Sequence, residues 1–146
     1  MSTSQFSTFN VGPHLFGIEV ENVQEVIRYQ PMTRVPLAPA SVGGLINLRG
    51  QVITAVDLRQ RLGMPSRAEG ELPMNVVVRT DDGAVSLLVD QIGPVVDARD
   101  EDFEAPPETL VGATRHLIRG AYKLDDRLLL ALDVQRTVEV SLAPSS

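Results

Sequence analysis

The chain has 146 residues and a net charge of −6, with 43% hydrophobic and 22% charged residues, the balance of a core-forming single domain that buries roughly two thirds of its unfolded surface. An acidic chain without a Lys/Arg stripe, and with only 4% aromatic residues, suits neither phosphate backbones nor base stacking. The absence of cysteine removes disulfides, thiolate metal sites and cysteine nucleophiles.

The N-terminus Met1–Phe6 lacks the basic-then-apolar layout of a signal peptide. No stretch approaches the roughly 18 consecutive apolar residues of a membrane span. The expected location is cytoplasmic, with any membrane association made through a partner. Met1 and the polar tail 141–146 read as natural ends.

Short runs of Val, Ile and Leu broken by Gly, Pro, Asn and Asp predict strands throughout. In chain order they are Gln5–Val11, Leu15–Val20, Val26–Arg34, Gly44–Leu48 and Gln51–Val56. After a turn-rich stretch, Gly63–Pro73, come Asn75–Thr80, Ala84–Val89, Ile92–Ala98, Ile118–Leu124 and Arg127–Leu132. Short helical patterns follow at Leu58–Leu62 and Val134–Val138, each behind an aspartate, Asp57 or Asp133, placed to cap it. A third short helix is expected at Arg99–Phe103. Its acidic run Asp97, Asp100, Glu101, Asp102, Glu104 fits a solvated helix start better than an EF-hand loop, which needs a central glycine and a closing glutamate.

The strands form two matching sets. Phe9–Ile27 lies over Val78–Val96, and Gly44–Leu62 over Gly120–Val138, each without a gap. Gly44, Leu48, Ala55 and Asp57 meet the identical Gly120, Leu124, Ala131 and Asp133, and the offset grows from 69 to 76. Two copies are too few for a solenoid, so the pattern predicts an all-β chain of two similar barrels, each of about five strands, with short helices. The approximate division is 9–72 for the first and 73–138 for the second within one domain, with the terminal strands open to exchange between them. Each copy carries a hairpin. Gly50 supplies a positive φ in one, and Asp125-Asp126 is expected to do so in the other.

The inventory of reactive groups is thin. His14 and His116 sit beside turns or strand edges, with no second histidine at ligand spacing. There is no G-x-S-x-G elbow, and Gly43-Gly44 lacks the Lys-Ser/Thr of a phosphate cradle. No cofactor or metal is expected. Binding through strand edges or shallow grooves is the expected activity rather than catalysis.

Several blocks resemble the CheW family of bacterial chemotaxis coupling proteins. They are Phe16-Gly17-Ile18-Glu19-Val20 with Val23–Arg28, and Thr33-Arg34-Val35-Pro36 with Val42–Ile53, which contains Asn47-Leu48-Arg49-Gly50. Asp57-Leu58-Arg59 and, more loosely, Leu88–Ile92, Gly120, Leu124 and Leu128–Asp133 complete the set. Thr54 stands where many relatives carry proline. The linker 64–73 and the stretch 100–117 look peculiar to this chain.

The resemblance implies two five-stranded SH3-like barrels and a non-enzymatic adaptor. It would couple chemoreceptors (methyl-accepting chemotaxis proteins) to the regulatory domain of the CheA histidine kinase and be recruited to membrane receptor arrays through its partners. A CheW-like scaffold in a surface-motility or gene-regulation pathway is the alternative. By position, Val23 and Glu25 are implied kinase contacts, with Val76 and Val77 as further candidates on that side or as core. Arg49 is an implied receptor-contact or coupling residue, or else the partner of an internal salt bridge. Ile92 and Val95 either line an apolar groove for a receptor helix or pack in the core.

Overall fold

Apolar runs of strand length place eleven strands among the described residues, which in this computed structural model are 2–110 and 112–139. Met1 and the polar tail 141–146 lie outside them. The elements are β1 (Thr3–Val11), β2 (His14–Glu19), β3 (Val23–Ile27), β4 (Val42–Leu48), β5 (Gln51–Asp57), α1 (Leu58–Arg61), β6 (Met74–Thr80), β7 (Gly83–Val89), β8 (Gln91–Arg99), β9 (Phe103–Glu104), α2 (Gly112–Leu117), β10 (Ile118–Lys123), β11 (Leu128–Leu132) and α3 (Val134–Val138). Both helix caps form as expected: Asp57 accepts from the Arg59 amide and Asp133 from the Arg136 amide, each at 3.0 Å.

The strands form a six-stranded sheet, β8-β1-β2-β11-β10-β9, and a five-stranded sheet, β3-β6-β7-β5-β4. The first five strands of one order match the other position by position. The register agrees as well. Ala131 faces Gly17 in the parallel β11–β2 pair, as Ala55 faces Ser86 in the parallel β5–β7 pair. The register breaks between Ile118 and Gly120 on β10 just as it does between Val42 and Gly44 on β4.

The sheets depart from the approximate 9–72 and 73–138 division through an exchange of strands between the two copies, the possibility left open by the sequence. Hairpin β1–β2 joins β8, β10 and β11 of the second copy, while hairpin β6–β7 joins β3, β4 and β5 of the first. The reason lies in two short crossovers. After β2 the chain steps into the other sheet through a 3-10 turn at Val20–Asn22, and after β7 it steps across at Asp90.

Alternating side chains then meet two different cores. Phe9, Phe16, Val56, Val76, Val78, Leu87, Leu130 and Leu132 enter a core shared by both sheets. Val77, Ile53, Ala55 and Leu88 fill the interior of one subdomain, and Phe6, Leu129, Ala131 and Tyr122 that of the other. Central strands are therefore buried on both faces and read as unbroken apolar runs, such as Val76-Val77-Val78.

Four expectations need correction. The strand expected at Val26–Arg34 starts earlier and ends at Ile27, before Pro31. The helix expected at Arg99–Phe103 is a single 3-10 turn, Asp100–Asp102. Helix α2 and strand β9 have no counterpart in the sequence-based assignment. The second hairpin does not use a positive φ: among the described non-glycine residues only Leu37 and Arg49 adopt one, and the Leu124 amide closes that turn on the Arg127 carbonyl at 2.8 Å.

The paired glycines Gly44 and Gly120 are steric. A Cβ at Gly44 would lie 2.7 Å from the Thr33 carbonyl oxygen, and one at Gly120 would lie 2.7 Å from that of Glu104. Each glycine lets a neighbouring segment dock on the sheet: Thr33 bridges Leu45, and β9 pairs with β10.

Candidate functional site

Strand β3 is one end of the five-stranded sheet and β4 the other. The hairpin turn Arg49-Gly50 joins β4 to β5, with φ of +52° and +84° at its two residues, the backbone hand that matches strand twist. Asn47 accepts the Gly50 amide at 3.0 Å. The turn aims Arg49 back at β3, where its Nη1 and Nη2 donate to the two Glu25 oxygens at 2.5 and 2.8 Å. This fork-to-fork geometry is the one guanidinium forms best with carboxylate.

The hydrogen bond from Arg49 lowers the Glu25 pKa below the ordinary carboxylate range, and the same bond raises that of Arg49. The ion pair links β3 to the β4–β5 turn, at opposite ends of the strand order. The guanidinium stays largely in solvent while Glu25 is mostly covered. Val26, next to Glu25 on β3 but on its opposite face, and Val52 on β5 are exposed.

Val23, two residues before Glu25, is half-buried against the shared core. Val76 and Val77 are 0% exposed and sit on β6 between β3 and β7, one side chain in each core. They offer no surface, so their assignment as kinase contacts is withdrawn.

Ile92 and Val95 lie on β8, the corresponding outer strand of the six-stranded sheet. They occupy the same repeat positions as Val23 and Val26. Ile92 packs against the shared core, whereas Val95 is 59% exposed. The second sheet has no counterpart to the ion pair, because Pro94 and Asp125 stand where the first copy has Glu25 and Arg49. Its mouth stays open as a hollow of about 580 Å³ lined by residues including Val96, Asp97, Lys123 and Asp125.

One charge cluster has no signal in the local sequence. Asp90, at the crossover from β7 to β8, receives Arg59 at 2.9 and 2.6 Å and the Gly12 amide at 2.8 Å. Arg67, from the linker, binds Asp57 at 3.0 Å and the Leu88 carbonyl at 3.1 Å. Its Nε lies 3.1 Å from Asp90 without the alignment of a hydrogen bond. Burial pushes the Asp90 carboxyl up, but Arg59, the Gly12 amide and Arg67 together outweigh it and hold the pKa low. The cluster ties the linker, the β1–β2 turn and the end of β5 to one crossover, and it gives the Asp57-Leu58-Arg59 block a structural reason. Only the pairing of Asp57 with a helix start was legible beforehand; Arg67 and Asp90 become partners only in the fold.

Among the described residues no group of three His, Cys, Asp or Glu side chains is placed to hold a metal. His14 packs edge-on against Phe16, and His116 is exposed on α2.

A family model described as a CheW-like domain matches residues 5–141. The chemotaxis protein CheW of Treponema pallidum is 28% identical over 136 residues, covering 90% of this chain and 80% of the relative. That of Rhizobium meliloti is 31% identical over 126 residues, covering 86% and 81%. The crystal structure of the scaffolding protein TtCheW from Thermoanaerobacter tengcongensis superposes with a TM-score of 0.85 at 26% identity, covering 96% of this chain and 95% of that one. With nearly its whole length matched in sequence and in fold, the chain belongs to the CheW-like family, as a non-enzymatic chemotaxis scaffold built on two SH3-like subdomains.

Proposed function

We propose that this chain holds the regulatory domain of a CheA-type histidine kinase and the cytoplasmic tip of a chemoreceptor in one assembly, and that it works in the cytoplasm, reaching the membrane through the receptor. The observation that carries the proposal is the outer strand β3. Among the described residues its backbone is paired only on the β6 side, its Glu25 carboxylate is held by Arg49, and its Val26 is exposed. An outer strand with an apolar centre and a charged rim is a docking edge for another sheet protein. The names of the relatives, chemotaxis protein CheW and scaffolding protein, support the same role.

Val23 and Glu25 are the proposed kinase contacts. Arg49 is the proposed coupling residue, because it links β3 to the β4–β5 turn by charge. Ile92 and Val95, on the matching strand of the other sheet, are the proposed receptor side. No helix among the described residues is long and apolar enough to cross a membrane, in keeping with recruitment by a partner.

The test is to mix the full chain with a receptor signalling tip and its cognate kinase, then measure binding and autophosphorylation. Binding to both, with receptor-dependent kinase output, is the expected result. Binding to neither, with kinase output unchanged, removes the proposal.

A further inference from the structure

We infer that Arg79 is a positioning residue for the outer strand β3, an inference that rests on the kinase-facing role proposed for that strand. The chain leaves β2 and crosses between sheets in the three residues Val20–Asn22. This turn has no buried residue, and Glu19 ahead of it makes no capping hydrogen bond. Its far end is held from β6, where Arg79 Nη1 donates to the Glu21 carbonyl at 3.0 Å and to the Val23 carbonyl at 3.3 Å. A cation over the last carbonyls of a helical turn satisfies acceptors that the turn cannot.

The second contact falls on the first residue of β3, at the edge of a bulge. The register between β3 and β6 breaks between Val23 and Glu25. A bulge re-aims the side chains that follow it, so its geometry sets the direction in which Glu25 leaves the strand to meet Arg49. Arg79 thus fixes the segment that presents both proposed kinase contacts, without touching their side chains.

The other crossover shows that the two copies solve this problem differently. There the position matching Arg79 is Asn10, whose carbonyl accepts the Asp90 amide at 3.0 Å, and Asp90 is then clamped by Arg59 and Gly12. At the first crossover Arg119 donates to the Glu19 carboxylate at 3.1 Å ahead of the turn, and the far end of the turn is held by the exposed guanidinium of Arg79. Removing it loosens the presented edge without opening either core.

The experiment compares wild type, R79A, R79K and E25K as full-length chains. It measures affinity for the kinase regulatory domain, affinity for the receptor tip, and amide exchange across residues 20–25. R79A is expected to weaken kinase binding by about three- to tenfold, the loss of one or two charge-assisted hydrogen bonds on a surface. R79K, which keeps the charge and the donors, recovers most of the affinity. Receptor affinity stays within about twofold, and exchange at residues 20–25 rises in R79A. If E25K weakens kinase binding while R79A binds as wild type, the positioning role is wrong and the docking edge stands. If E25K also binds as wild type, the docking edge itself fails and this inference with it. Equal loss of kinase and receptor binding in R79A, or exchange in R79K and R79A unchanged from wild type, overturns it too.

Discussion

Arg49 and Glu25, 24 residues apart, meet through both terminal guanidinium nitrogens and both carboxylate oxygens, joining the β4–β5 turn to the outer strand β3. This makes a surface arginine at an otherwise ordinary turn part of the same unit as the proposed kinase contact. E25K should weaken binding of the kinase regulatory domain about tenfold or more, since like charges then face each other at the edge. R49A should bind the kinase within about threefold of wild type and mainly lower receptor control of autophosphorylation. The reversed pair E25R/R49E restores the bridge but not the kinase contact. Because Arg49 holds the Glu25 pKa down, the bridge stands above the ordinary carboxylate range near pH ~4.3 and breaks as pH falls through the lowered value. An NMR titration of Glu25 should show a higher midpoint in R49A.

Asp90 joins three segments through Arg59, Arg67 and the Gly12 amide. Asp90→Asn leaves two arginines without their shared counter-charge, and should cost about 2–3 kcal/mol at neutral pH. The carboxyl is depressed in the folded state, so its stabilisation is fully present above the unfolded value near ~3.9 and fades as pH falls through the folded one. Urea midpoints of wild type and D90N should therefore differ at pH 7 and converge in acid. A constant difference at all pH values would contradict this account.

The matched glycines Gly44 and Gly120 each admit a neighbouring backbone. A methyl group at Gly120 meets Phe103 at 2.4 Å as well as the Glu104 carbonyl, so G120A should release β9 and cost about 1–3 kcal/mol. G44A should free the segment around Thr33 by the same route. Amide exchange at Thr33 in the one variant and at Tyr122 and Ala121 in the other reads the release directly.

Val77 faces the interior of one subdomain with no exposed surface. V77A should lower stability by about 2 kcal/mol while the folded protein binds the kinase domain with wild-type affinity. A loss of affinity at conserved stability would restore Val77 as a contact.

The exchanged hairpins make the halves of the chain interdependent. A break between Gly70 and Glu71, both exposed, leaves each fragment with an incomplete sheet. The fragments should show little β signal in circular dichroism alone and regain it when mixed in equal amounts. Independent folding of either fragment would mean that its own strands close a barrel.

The strand inventory, the two helix caps and the internal duplication were legible because they depend on local chemistry: apolar runs of strand length, Asp before a helix start, and identical residues at a steady offset. Gly44 and Gly120 were visible as a repeated pair before their purpose was. Strand exchange was legible only as an open possibility, because each hairpin has the same alternation whichever sheet it joins, and the choice rests on pairing between distant strands. The sequence by itself also left Val77, a kinase-side candidate, and Val95, a receptor-side candidate, each open between surface contact and core. Tertiary packing buried the first between two strands and left the second on an outer edge. The pairing around Asp90 with Arg59 and Arg67 likewise carries no sequence signal, since charges far apart in the chain become partners only when the fold removes them together from water.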